Sequence, residues 1–310
     1  MKILVTGGAG FIGSNVVDKF IDLGHEVIVV DDLSSGFKHN VNPKAKFYEM
    51  DIRSRELAKV FEVENPDIVN HHAAQISVPV SVKDPEFDAD VNVKGFLNIL
   101  QNCVKYKVKK VIFISSGGAI YGEAEEYPTT ERYDPKPLSP YAINKFIAEK
   151  YLYFYHHQYG LNYTVLRYAN VYGPRQIPHG EAGVVSIFIT NFRDNRTSHL
   201  YAFPEELDGM VRDYVFVIDV VRANVIALEK GNLEAFNIGT GLEMTTGKLY
   251  REISRQMNVN IDPIRGNARA GDIRKSCLNI EKAGSVLNWK PEYSPEEGIK
   301  QTIHFFMENQ

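Results

Sequence analysis

At 310 residues the chain is long enough to bury a large core and to carry two lobes. Hydrophobic residues make up 44% and charged residues 24%, with a net charge of −4, so no overall basic field draws it to nucleic acid or to an anionic membrane. Two cysteines, Cys103 and Cys277, are too few for a disulfide framework; no Cys/His cluster has zinc spacing, and no apolar run approaches the ~18 residues of a membrane span. The opening run Ile3-Leu4-Val5 stops at a glycine loop and does not have the form of a signal peptide. The expectation is a cytoplasmic α/β protein without a metal site.

In chain order, short β-branched runs alternate with amphipathic stretches, the pattern of strand–helix–strand units around a parallel sheet. Strands are expected at Lys2–Val5, Val27–Val30, Lys46–Met50, Ile68–His71, Val111–Ile114 and Tyr163–Arg167. Helices are expected near Ser14–Leu23, Arg55–Glu62, Ala89–Tyr106 and Tyr141–Tyr159. After about Ala169 the rhythm loosens, and only Val211–Val217 and Glu234–Ile238 read as strands. Residues 1–170 are therefore expected to form a doubly wound Rossmann domain, to which the stretch near 217–238 returns. Residues 171–310 should form a smaller substrate-binding lobe.

The first strand leads into Thr6-Gly7-Gly8-Ala9-Gly10-Phe11-Ile12-Gly13, with a helix pattern directly after it. Gly8, Gly10 and Gly13 fit the dinucleotide fingerprint; Gly7, Gly10 and Gly13 fit its variant with one more residue in the first gap. A Cβ in such a loop would block the turn and hold a pyrophosphate off the backbone, while the helix N-terminus offers N–H groups to the phosphates. Asp31-Asp32 ends the second strand near the expected distance of ~20 residues. A carboxylate there accepts ribose hydroxyls and repels a 2′-phosphate. No arginine stands among Leu33-Ser34-Ser35-Gly36-Phe37 to neutralise that phosphate, so NAD is favoured over NADP.

Ser139-Pro140-Tyr141-Ala142-Ile143-Asn144-Lys145 opens a helix, and Tyr141 and Lys145 lie one turn apart on one face. A phenol with a pKa of about 10 is a poor base at neutral pH. One cation about 4 Å away, at an effective dielectric near 20, supplies roughly the 4 kcal/mol needed to lower it by three units. Lys145 is the expected cation. Tyr141 could then take a proton from a sugar hydroxyl while hydride leaves the same carbon.

These stretches together resemble the extended short-chain dehydrogenase/reductase family, and within it the UDP-glucose 4-epimerase branch. The matches are Thr6–Gly13, Val30–Gly36, Asp51-Ile52, His72-Ala73-Ala74-Gln75, Asp90–Gly95, Ser115–Gly122, Ser139–Lys145, Leu166–Gly173, Arg212–Tyr214, Phe236–Gly239 and Gly271-Asp272. The resemblance implies that Gly7, Gly10, Phe11, Ile12, Gly13, Asp31, Asp32, Leu33, Ser35 and Gly36 hold NAD. It places Asp51 and Ile52 at the adenine, Ala73, Ala74, Gln75 and Asn92 along the NAD channel, and Tyr168 by the nicotinamide. It gives Asn170, Arg212, Arg269 and Asp272 to the sugar nucleotide, with the two arginines on the diphosphate, where a guanidinium fork suits phosphate oxygens. It also implies a homodimer through the Ala89–Tyr106 and Tyr141–Tyr159 helices.

Two features depart from the family pattern. Counting four residues back from Tyr121 reaches Gly117, which has no hydroxyl. Ser116 is then the expected catalytic hydroxyl, with Ser115 as its alternative. Leu200-Tyr201-Ala202-Phe203-Pro204 replaces the usual Phe-Gly-Asp-Gly, leaving Tyr201 and Phe203 as alternatives for stacking on uracil. Gly117-Gly118-Ala119 carries none of the acid–base groups that a sugar-nucleotide dehydratase needs, which favours C4 epimerisation of a UDP-sugar. Ser276, four residues after Asp272, would leave room for an N-acetyl group. The alternatives are a uronate 4-epimerase or decarboxylase, and a non-catalytic NAD-binding scaffold.

Overall fold

The Ile3-Leu4-Val5 run forms the first strand, β1 (Lys2–Thr6), and Gly7 ends it by turning the chain at a φ of +69°. The computed structural model, which describes residues 1–178, 183–269 and 271–308, continues with α1 (Phe11–Asp22), β2 (Glu26–Asp31), β3 (Lys46–Glu49), α2 (Leu57–Glu64) and β4 (Ile68–His71). Next come the short α3 (Val78–Lys83) and α4 (Pro85–Ala89), a widened π turn over Asp90–Gly95, and α5 (Phe96–Lys105). They are followed by β5 (Lys110–Ser116), the single turn α6 (Gly117–Ile120), α7 (Pro140–Tyr159), β6 (Asn162–Tyr168) and β7 (Asn170–Tyr172). The second half adds α8 (Val184–Arg193), β8 (His199–Ala202), β9 (Val211–Arg212), β10 (Tyr214–Phe216), α9 (Val217–Ala227) and β11 (Glu234–Ile238). The last elements are β12 (Met244–Thr245), α10 (Thr246–Met257), β13 (Ile264–Asn267) and α11 (Pro295–Glu308).

Seven strands, all parallel, form one sheet in the order β11-β6-β5-β4-β1-β2-β3. This is the doubly wound arrangement that the alternating sequence pattern predicts, and its strand order reverses between β1 and β4. A ligand crevice opens at the carboxyl ends of the strands on such a reversal. Side chains alternate across the pleat, so both faces are apolar. Ile3, Val5, Val29, Ile112 and Leu166 pack with Val16, Val17 and Phe20 of α1 and Val220, Val221 and Ala223 of α9. Leu4, Ile28, Val30, Val69, Val111 and Phe113 pack with Leu57 and Phe61 of α2, Phe96 and Ile99 of α5, and Leu152 of α7. The α1/α9 layer runs on without a break into the second half, through Phe188, Tyr250 and Trp289.

The second half is more helical than its sequence suggests. Helices α8, α9, α10 and α11 occupy stretches for which no helix was expected. The valine-rich α9 has strand propensity, but packing against α1 overrides it. α10 hides its apolar spacing, Leu249, Tyr250 and Ile253, among charges. The expected strand Val211–Val217 is cut at Asp213 into β9 and β10, and Val217 opens α9. Among the described residues no helix is long and apolar enough to cross a membrane.

Candidate active site

The glycine loop folds around its own backbone. A Cβ on Gly13 would lie 2.1 Å from the Gly7 carbonyl oxygen, and one on Gly7 would lie 2.6 Å from the Ala73 nitrogen. A Cβ on Gly8 would meet the side chains of Val29 and Val17, whereas Gly7 and Gly13 are closed by backbone. Over Gly10 the space is open except for Gly7 O at 3.3 Å. Gly10 starts α1 with no side-chain cap and no acid in the first turn, where Phe11 and Ile12 stand. Uncapped N–H groups facing open space suit a pyrophosphate.

Asp31 is buried beneath this loop and accepts hydrogen bonds from the Ala9 and Leu33 N–H groups, both at 2.9 Å. Burial pushes its carboxyl up, and those donors pull it down. Asp32 is exposed and holds Ser34, while Gly36 packs within contact of Ala9 and Ser35 faces outward. At the far end of β3, Arg53 forks onto Asp51 and also pairs with Asp90 at 2.8 Å. Ile52 is buried there against Gly95. After β4, Ala73 donates its N–H to Thr6 Oγ1 at 3.2 Å, Ala74 follows, and Gln75 and Asn92 bind each other through two hydrogen bonds.

β5 ends at Ser116, whose hydroxyl pulls the pKa of Tyr141 down. Neighbouring side chains of a strand point to opposite faces, and Ser115 donates instead to Glu149 Oε1 at 2.6 Å. α7 starts with Ser139 as its cap and Pro140 in the first turn, which fixes where Tyr141 projects. Lys145 is buried; its ammonium donates to the Ile114 carbonyl at 3.0 Å and lies 6.0 Å from the Tyr141 ring centre. In the protein alone the phenol is not acidic. Burial pushes Tyr141 up to about 12, against the pull of the Ser116 hydrogen bond, and the Asp88 carboxylate pushes it further. Burial also lowers Lys145 to about 8, with Asp88 acting upward.

Beneath these residues lies a buried ionic network that the sequence reading missed. Arg167 forks onto Glu149 at 2.6 and 3.0 Å and donates to the Tyr121 hydroxyl at 2.8 Å, which in turn donates to Asn237. Glu149 follows Lys145 by one helical turn, a spacing that was legible. Tyr168 is buried, and its hydroxyl accepts from Asn224 of α9 at 2.6 Å, so its polar end turns away from Ser116 and Tyr141.

The opposite wall is built by Arg269 and residues 271–278 against β9. Ser276 is buried and its N–H donates to Val211 O at 3.0 Å. Arg212 donates to the carbonyls of Val211 at 2.9 Å and Arg274 at 3.3 Å, and to the Met210 sulfur. No carboxylate lies within ion-pair distance of it among the described residues, and burial lowers its pKa. Its neighbour Asp213 points the other way, fully buried, onto the N–H groups of Thr240, Gly241 and Leu278. The two therefore do not pair. Arg269 stacks over Tyr201 at 4.4 Å and lies 3.5 Å from Asp272, and Arg274 stacks over Phe203 at 4.2 Å. Asn170 Oδ1 is buried without a partner beside Gly118. Leu278 touches the position where Gly117 would carry a Cβ, joining this wall to the Ser116 turn.

A doubly wound sheet with an open glycine loop, a carboxylate under it and a serine–tyrosine–lysine set at the crevice defines a dinucleotide-binding fold equipped for acid–base chemistry. The chain belongs to the NAD dependent epimerase/dehydratase family, whose model matches residues 3–239. It is similar to the UDP-glucose 4-epimerase of Thermotoga maritima solved with UDP-glucose, at 50% identity over 99% of both chains and a TM-score of 0.96. It is similar also to the Thermus thermophilus UDP-glucose 4-epimerase in complex with NAD, at 42% identity over 100% of both chains and a TM-score of 0.95. A third likeness is the UDP-N-acetylglucosamine 4-epimerase of Methanobrevibacter ruminantium, at 34% identity, covering 100% of this chain and 99% of that one, with a TM-score of 0.92. NAD is the cofactor of this family, and the loop over Gly10 fits it.

Proposed function

We propose that the chain inverts C4 of a UDP-hexose, interconverting UDP-glucose and UDP-galactose through a 4-keto intermediate on NAD that stays bound. The observation that carries this reading is Ser116 at the end of β5 with Tyr141 and Lys145 one turn apart on α7, beside a Gly117-Gly118-Ala119 turn with no titratable group. Such a set can remove and return one proton at a carbinol, and nothing beside it can expel water from the neighbouring carbons. Bound NAD supplies the hydride acceptor and donor at C4. Tyr141 takes the hydroxyl proton, Ser116 aligns it, and Lys145 adds positive charge against the burial that keeps the phenol near 12.

Residues 1–170 together with the stretch near 217–238 form the NAD-binding part in this reading, and residues 171–310 mainly form the substrate lobe. Phe11, Ile12, Leu33, Ser35 and Gly36 border the cofactor with the glycines and Asp31-Asp32. Asp51 and Ile52 take the adenine end, Ala73, Ala74, Gln75 and Asn92 the channel, and the Tyr168 ring, rather than its hydroxyl, the nicotinamide. Arg212 and Arg269 take the diphosphate, Asp272 the uridine ribose and Asn170 the sugar nucleotide. The buried Ser276 leaves room for an N-acetyl group, so we extend the substrates to UDP-GlcNAc and UDP-GalNAc. Ile143, Ile147 and Phe154 of α7, with Val80, Val82 and Phe87 beside them, are all exposed; this face is suited to a homodimer, which sedimentation would test. We place the enzyme in the cytoplasm, where its two free, buried cysteines stay reduced.

Incubation of the purified protein with UDP-galactose, without added NAD, should yield UDP-glucose. No product even with NAD supplied would overturn the reading, and CO₂ released from UDP-glucuronate would point to a decarboxylase.

A further inference from the structure

Asp88 of α4 is fully buried, and among the described residues no lysine or arginine lies within ion-pair distance of it. Three side-chain amides hold its carboxylate instead. Gln75 Nε2 donates to Oδ1 at 2.6 Å, Asn92 Nδ2 to the same oxygen at 3.1 Å, and Asn144 Nδ2 to Oδ2 at 2.7 Å. The donors come from three separate pieces of chain: the loop after β4, the π turn and α7. Asn144 directly precedes Lys145. Amide dipoles satisfy the lone pairs of a carboxylate but do not cancel its charge. A neutral acceptor could anchor three amides at far smaller desolvation cost, so a retained buried charge calls for a use.

The residue after Asn144 is the buried cation Lys145. The groups packed around its ammonium are the Phe113 ring and the Ile114 carbonyl of β5, Tyr141 of α7, and His71 and His72 at the end of β4. Burial lowers both histidines, His72 to about 3, so they are neutral at physiological pH. Glu149, one turn further along α7, is occupied by Arg167 and Ser115. Asp88, hydrogen-bonded at 2.7 Å to Asn144 one residue before Lys145, is a buried carboxylate held by amides alone, and its charge favours the ammonium form of Lys145.

We propose that Asp88 is a positioning residue for the reaction: its carboxylate ties the Gln75–Asn92 pair to the catalytic helix and supplies the counter-charge for the buried Lys145. This rests on the epimerase reading, in which Gln75 and Asn92 line the NAD channel. Its negative charge stabilises the cationic form of Lys145 and disfavours the phenolate of Tyr141. Removing it lowers the pKa of both groups, so the acid and alkaline limbs of the rate profile move together to lower pH.

The test compares full-length wild type with Asp88→Asn, which keeps the shape and removes the charge. Four quantities are measured: bound NAD, kcat and KM from pH 5.5 to 9.5 in ~0.5-unit steps, and the titration of Lys145 by ¹³C NMR of ε-labelled lysine, assigned with Lys145→Met. Asp88→Asn should retain NAD and leave KM nearly unchanged. Both limbs and the Lys145 resonance should fall by about one pH unit, and kcat far out on the alkaline limb by about tenfold. Asn144→Ala, which removes one hydrogen bond but no charge, should lower kcat without displacing either limb. Asp88→Ser carries the same expectation as Asp88→Asn and replaces it if that variant does not fold. An unmoved rate profile together with an unmoved Lys145 resonance overturns the proposal, whatever happens to the height of kcat. The resonance is read without turnover. A wild type inactive on UDP-galactose therefore sinks the functional reading and leaves Asp88 to be judged on the resonance alone.

Discussion

The floor of the crevice contains a buried arginine and its mouth a half-buried one, and the two are treated in opposite ways. On the floor, Arg167 is forked onto Glu149, and Ser115 and Tyr121 close the remaining hydrogen bonds. At the mouth, Arg212 meets two carbonyl oxygens and a thioether, with no carboxylate within ion-pair distance among the described residues, though Asp272 and Glu123 act on it from further off. A charge paired inside the protein fixes the shape of the site. A charge left with neutral acceptors keeps its electrostatic attraction for a ligand that brings the missing anion, and a diphosphate brings two. Ser115 and Ser116 repeat the contrast one residue apart: the first is tied to Glu149, the second faces Tyr141.

If this division is right, changes at the mouth cost turnover or substrate affinity, and changes on the floor cost stability. Tyr141→Phe should show the largest effect, losing about 10²- to 10⁴-fold in kcat while retaining NAD and its melting temperature; near-normal kcat would remove its role as base. Glu149→Ala leaves Arg167 buried and unpaired and should destabilise the fold by about 3–5 kcal/mol, seen in denaturant unfolding. A stable Glu149→Ala would break the comparison on the floor side. Arg212→Met should raise KM for UDP-galactose about 10- to 100-fold, the worth of hydrogen bonds to a charged group, with the unfolding midpoint unchanged. A destabilised Arg212→Met with normal KM would break it on the other side. Ser276→Tyr is the mildest test. It should abolish turnover of the N-acetylated pair and leave kcat/KM for the UDP-glucose pair within about threefold.

The two regions also differed in how much their sequence disclosed. The cofactor side is shaped by backbone: a Cβ at Gly7 or Gly13 is excluded by atoms close in sequence or in the loop just after β4, so the requirement is written as glycine. The serine–tyrosine–lysine set was legible because a strand end and one helical turn fix it. What distinguishes Ser115 from Ser116 is the hydrogen bond of Ser115 to Glu149, which sequence spacing alone does not supply. Asp88 carried no signal, since Asp84 and Asp90 stand beside it with ordinary tasks: Asp84 caps α4, and Asp90 pairs with Arg53 and Lys94. The second half was read least well. Its helices are held by tertiary packing, as in α9, where Asp219 is buried and accepts the Glu292 N–H at 2.8 Å, a contact across the fold that no local pattern announces. The Arg212-Asp213 pair shows the same limit. Adjacent in sequence, the two side chains serve opposite sides of β9.

The central claim is that one carbon loses and regains the same hydrogen within a closed site. UDP-galactose carrying deuterium at C4, turned over by the protein as purified in ordinary water, tests it by mass spectrometry of the product. The account predicts UDP-glucose with the deuterium still on C4. Deuterium lost to solvent, with product formed, would contradict it.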